Sequence, residues 1–111
     1  MNERKVQLYL MERLDITVTG YDMIVKFLEI AEQYPIDRPL PMMKVYEQVG
    51  RAFGKSKMNV CQEIHTCINN SVAQIYHDPF KPYPTNKEFL HGLRFELWNA
   101  GLLAERHKPE L

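Results

Sequence analysis

An all-α fold, a compact bundle of about five helices containing a helix-turn-helix, is what this sequence predicts. Three observations carry the prediction. Apolar residues recur at spacings of three and four in separate stretches, prolines and glycines punctuate the gaps, and no stretch alternates apolar and polar residues as a half-buried strand would.

The first helix is read from Val6, Leu8, Leu10, Met11 and Leu14, with Glu12, Arg13 and Asp15 opposite, and is expected to end near Asp15. Thr19 is a suitable cap for the second, with Asp22 in capping-box position and Ile24, Val25, Phe27, Leu28 and Ala31 beyond it, ending near Tyr34. Pro35, Pro39 and Pro41 then make a stiff connector, because each holds the preceding residue extended. The third helix is expected from Met42 to Phe53, with Met42, Val45, Tyr46, Val49 and Phe53 on one face and Gly54 as its stop.

Ser56 suits the N-cap of a long fourth helix over 58–76, whose apolar positions are Val60, Ile64, Cys67, Ile68, Val72 and Ile75. Pro79, Pro82 and Pro84 turn the next segment into a loop. Thr85, Asn86, Lys87 and Glu88 have the form of a capping box. Phe89, Leu90, Leu93, Leu97 and Trp98 follow as the buried face of a fifth helix that Gly101 ends.

At 111 residues the chain is sized for one domain, 1–111, with the helix-turn-helix at 42–76 and a frayed tail at 105–111. Its 14 basic residues balance its 14 acidic ones, which removes a global attraction to polyanions, so any nucleic-acid face must be local. Cys61 and Cys67 lie six apart on one helix, point in different directions and are expected as free thiols. No run approaches the roughly 20 apolar residues of a membrane span, and Met1 to Lys5 leads into no signal-like segment, so a cytoplasmic protein without a membrane partner is expected.

Two helices joined by a short glycine-containing turn, the second opening on a capped polar turn, form the layout that sets one helix into a DNA major groove. With Val60, Ile64 and Ile68 turned to the core, Asn59, Gln62, His65, Thr66 and Asn69 are the candidates to face bases. Asn and Gln pair with adenine edges, and Thr and His reach base acceptors. Arg51, Lys55, Ser56 and Lys57 flank the turn and are the candidates to hold phosphates. The competing reading of the same pattern is an amphipathic core helix with a wet face.

These residues carry a resemblance. Gly20-Tyr21, then Val45-Tyr46 with Val49 and Phe53, then Val60, Ile64 and Ile68, and finally Pro84-Thr85-Asn86-Lys87-Glu88-Phe89 fall in an order similar to that of one family. It is the C-terminal DNA-binding domain of the sporulation-initiation response regulators of spore-forming bacteria. The resemblance covers residues 6–97 and runs without a gap over 20–68, the Pro-Thr-Asn-x-Glu-Phe element being its most specific part. It implies a stand-alone transcriptional regulator, with 58–76 as the recognition helix and binding to tandem sites on double-stranded DNA as a dimer.

Where the family presents a Glu-Arg and an Arg-His pair to DNA, this chain has Cys61, Gln62, His65 and Thr66, so a different or weaker site is expected. The connection from Ile68 to Pro84 is shorter than the family's. The stretch before Val6 is too short for the family's receiver domain, so control by aspartyl phosphorylation in cis is not expected. The alternative function is a protein-interaction module of the same fold that has lost DNA recognition and pairs, as homodimer or heterodimer, with another regulator. Net neutrality and the missing arginines favour it.

Other constellations are weaker. Cys61 and His65 lie one helical turn apart, but no third metal ligand stands near them in sequence. His77-Asp78, or Cys67 with a histidine, lacks any nucleophile-elbow, phosphate-loop or zinc-hydrolase context, so neither an enzyme nor a cofactor is expected. Tyr83, Phe95 and Trp98 are expected in the core, and Met11, Met23, Met42, Met43 and Met58 as gap-fillers.

Overall fold

The computed structural model describes residues 3–75 and 84–103 and is all-helical there, with α1 (Glu3–Met11), α2 (Thr19–Ala31), α3 (Met42–Phe53), α4 (Lys57–Ile75) and α5 (Asn86–Asn99). Expectations placed on the side chains of Val72 and Ile75, on Tyr76, on the loop with His77, Asp78 and Tyr83, and on the tail 105–111 lie outside the described residues. Helices α2, α3 and α4 pack on one another, α5 lies against α4, and α1 against α2. Phe27, Met23, Ile24, Leu28, Val45, Val49, Ile64 and Ile68 are fully buried between them. Among the described residues no helix is long and apolar enough to cross a membrane.

Helix α1 stops at Met11, short of Asp15, because the amides of Arg13 and Leu14 both turn back onto the carbonyl of Leu10 (2.9 and 2.8 Å) and bring Leu14 into the core. The Thr19–Asp22 capping box does not form. Val18 occupies the N-cap and offers no side-chain acceptor, and Thr19 is already helical. The turn before α2 is organised by Asp15, whose carboxylate accepts from the amide (3.0 Å) and hydroxyl of Thr17, while its own amide donates to Ser71 Oγ on α4 (2.8 Å). Those Thr17 donors hold the Asp15 carboxyl below the usual carboxylate range.

The other caps follow the sequence pattern. Ser56 Oγ accepts from the Asn59 amide (3.2 Å) at the head of α4. At α5 the capping box is complete, with Glu88 N donating to Thr85 Oγ1 (3.1 Å) and Thr85 N to Glu88 Oε1 (3.0 Å). Its far end closes by amide bonds from Gly101 to Trp98 O (3.0 Å) and from Leu102 to Leu97 O (2.9 Å), which turn Leu103 into the core.

Several apolar expectations fail on exposure. Leu8, Phe53 and Phe95 are exposed, as are Met11, Met43 and Met58; Met23 alone of the five methionines is fully buried, and Met42 is partly so. Trp98 packs partly against the core and holds Phe95 at a ring distance of 5.7 Å. Residues at the edges of a helical stripe become core only where a neighbouring element covers them, which periodicity does not report.

Among the described residues Arg94 is the buried charged residue of the bundle, 4% exposed, beside the buried polar Ser71 and Asn86. Its Nη2 donates to the carbonyls of Tyr34 (2.8 Å), Pro35 (2.8 Å) and Ala31 (3.4 Å), so the guanidinium closes the turn that follows α2, where a cation is favoured. One turn earlier on α5, His91 Nε2 is buried without a hydrogen-bond partner among the described residues. Burial first, then the charges of Arg94 and Lys87, hold its imidazole below the ordinary histidine value. As pH falls through about 6.5 the unfolded chain therefore binds this proton before the folded one does, and stability declines from there down to the lower folded value. Urea midpoints should accordingly fall between pH 7.5 and 5 by less in His91→Gln than in the parent; an identical fall in both would assign the slope to other groups.

Candidate nucleic-acid interface

Helices α3 and α4 are joined by the three residues Gly54, Lys55 and Ser56. Gly54 has the left-handed conformation (φ 67°) that ends α3, and the amides of Gly54 and Lys55 both converge on Gly50 O, the latter at 2.8 Å. The chain doubles back so closely that a Cβ on Gly50 would lie 2.3 Å from Lys55 O. Glycine at position 50 is what lets α4 begin this near to α3.

The result is a protruding corner. Every residue from 51 to 59 is exposed, and the run holds three cations and no acidic residue. Of the candidate phosphate holders, Arg51 is paired with Glu47 (2.8 Å) and Lys55 with Glu63 (3.0 Å). Lys57 makes no ion pair among the described residues, and Ser56 spends its hydroxyl on the cap. The Arg51–Glu47 pair is exposed, where such contacts are worth about 0–1 kcal/mol, so an incoming phosphate can take Arg51 at little cost, whereas Glu63 is partly buried and gives up Lys55 at a greater one.

The candidate base-facing residues divide. Asn59, Gln62 and Thr66 are exposed on the outer side of α4 beside the corner, with the Thr66 hydroxyl returning to Gln62 O (3.0 Å). His65 and Asn69 are drawn toward α5 instead. His65 Nδ1 lies 3.3 Å from Asn86 Oδ1, and Asn69 Nδ2 lies 3.0 Å from His65 Nε2. With Asn69 donating to Nε2, the tautomer protonated on Nδ1 satisfies both contacts, and it leaves neither ring nitrogen free.

Asn86 is the functional-looking residue that sequence reasoning missed, since it entered only as part of a capping box. It is 8% exposed and donates to Cys61 O (3.0 Å), tying the start of α5 to the N-terminal part of α4. The only signal for it was its place in the Pro-Thr-Asn element. Neighbouring Cys67 is buried, bonded to Asp15 O at 3.6 Å, and burial pushes its thiol up to about 11, so it stays protonated. Cys61 and Cys67 are both free thiols, and among the described residues no group of three or more His, Cys, Asp or Glu side chains is placed to hold a metal.

Compared with known proteins, the chain matches no protein-family model and no curated protein.

Proposed function

We propose that the protein is a DNA-binding transcriptional regulator in which α3 and α4 act as a helix-turn-helix and α4 is the recognition helix. The observation that carries this reading is the exposed corner 51–59, three cations without an acid, continuous with the Asn59, Gln62 and Thr66 face of α4. Lys57, Lys55 and Arg51 hold phosphates, the latter two by leaving Glu63 and Glu47, while the amide and hydroxyl side chains on α4 read base edges. His65 and Asn69 support the recognition helix through Asn86 in the free protein and reach bases only by exchanging those bonds. No catalytic role, cofactor or membrane partner is assigned.

The test is selection of binding sites from a random duplex pool at two salt concentrations, followed by affinity measurement on the recovered motif. In Lys55→Ala/Lys57→Ala the affinity should drop for every sequence, and the slope of log affinity on log salt should lessen by about 0.9 for each phosphate contact removed. Absence of any binding at low salt would overturn the proposal.

A second reading, a module that pairs with another regulator through α5, draws on Phe95, 52% exposed and tilted against Trp98. In that reading the protein does not bind DNA and Phe95→Ser should abolish pairing, whereas in the first reading Phe95→Ser leaves DNA affinity unchanged.

A further inference from the structure

On the side of α5 away from α4, the segment 36–39 and one face of α5 enclose a cleft of about 380 Å³. That volume lies in the range of small-ligand sites, about 300–1,000 Å³. Its polar lining is Arg38, Lys87, His91 and Arg94 with Asp37 as the single acid, and Ile36, Pro39 and Phe95 supply apolar wall. Counting Arg38, Lys87 and Arg94 against Asp37, with His91 neutral, the lining carries a charge of plus two.

Arg38, Lys87 and Arg94 form no ion pair among the described residues, which they share with the exposed Arg4, Lys44 and Lys57, whereas Arg13, Lys26, Arg51 and Lys55 each have a carboxylate partner. What sets the three apart is that they line one concave site. Arg94 is held in place by the carbonyls at the end of α2 through one nitrogen, Nη2, so its position is set before any ligand arrives. His91 Nε2, like three other side-chain atoms of the molecule, is buried without a hydrogen-bond partner among the described residues. A buried polar nitrogen without a partner normally belongs to a group that meets a ligand or water.

We propose that this cleft binds a small phosphate monoester, its dianionic head taken by Arg38, Lys87 and Arg94 and its apolar portion laid against Ile36, Pro39 and Phe95. The charge of plus two matches a phosphate dianion better than a single carboxylate. The volume exceeds that of the phosphate head alone, and the apolar wall selects an organic ester. The concave shape suits a free ligand, while a duplex backbone meets its phosphates on protruding surfaces such as the 51–59 corner. This inference is independent of the proposed DNA binding, since it uses none of the corner residues.

The test titrates the full chain with phenyl phosphate, inorganic phosphate and a short duplex in parallel, following backbone amide resonances. Phenyl phosphate should shift residues 36–39, Lys87, His91 and Phe95 and raise the melting temperature, with inorganic phosphate binding more weakly. Arg38 and Lys87 are both exposed, so Arg38→Gln and Lys87→Gln should fold normally and weaken phenyl phosphate about tenfold or more each. Unchanged cleft resonances with phenyl phosphate, or equal affinity in the double variant, would overturn the proposal. So would shifts of these residues by the duplex alone. Equal affinity for the two small anions would remove the organic portion.

Discussion

Alanine at position 20 is expected to destabilise the protein by about 3 kcal/mol, the upper end of what overpacking usually costs. Gly20 lies in the first turn of α2 where that helix meets α4, and a Cβ there would sit 2.1 Å from the backbone oxygen of Glu63 and 2.8 Å from Cys67 Cβ. A flexible side chain could yield, but the obstacle is helix backbone, so α2 itself has to move. The movement would open the interface that buries Ile24, Ile64 and Ile68. Gly92 provides the contrast within the same molecule. It lies inside α5, is exposed, and a Cβ there meets nothing within 4 Å, so Gly92→Ala should stabilise by about 0.5–1 kcal/mol through helix propensity and loss of unfolded-state freedom. Urea denaturation of the two variants beside the parent is the measurement. Equal stability of Gly20→Ala and parent would mean that the two helices do not approach so closely.

Replacing Arg94 by methionine is the second change expected to be large, at about 3 kcal/mol. Methionine has a similar length and fills the channel, so the loss isolates the guanidinium. Among the described residues Tyr34 O then loses its donor, while Ala31 O and Pro35 O keep only the amides of Tyr34 and Arg38, and a buried acceptor left unmade costs about 1–3 kcal/mol. Because no carboxylate is involved, the loss should persist at high salt. Lysine should not restore it, since its stem is shorter than that of arginine and its more strongly hydrated ammonium is costlier to bury. Arg51→Met is the control. Its exposed pair with Glu47 predicts a change within about 0.5 kcal/mol, so a comparable loss at both positions would refute the special role of Arg94.

The two substitutions also show where the sequence was legible. Arg94 follows Leu90 by four residues and precedes Leu97 by three, which places it on the buried stripe of α5. The pattern therefore contained a buried arginine, though nothing local says that its partners are 59 to 63 residues away. Gly20 looked like an ordinary residue at a helix start. Its necessity lies in the backbone of Glu63, which sequence spacing does not bring near. The candidate interface was read better at its cationic corner than along the helix, because a turn between two helices is exposed by its own geometry. His65 and Asn69, by contrast, have the spacing of outward residues and were drawn away by Asn86.

By itself the sequence determined the helices and their punctuation. The limits of α3, the caps at Ser56 and Thr85–Glu88, and the left-handed stop at Gly54 follow from interactions between residues one to five apart, which a chain carries wherever it is. Tertiary structure alone decided which stripe-edge residues are covered, leaving Leu8, Phe53 and Phe95 in solvent. It also decided that Asn86 joins α5 to α4, and that Arg94 closes the turn after α2 beside a cleft lined by Arg38 and Lys87. The physical reason is one of range. Local hydrogen bonds and backbone preferences are settled within a few residues, whereas burial, close approach and the pairing of a buried charge depend on which surfaces the packed helices bring together.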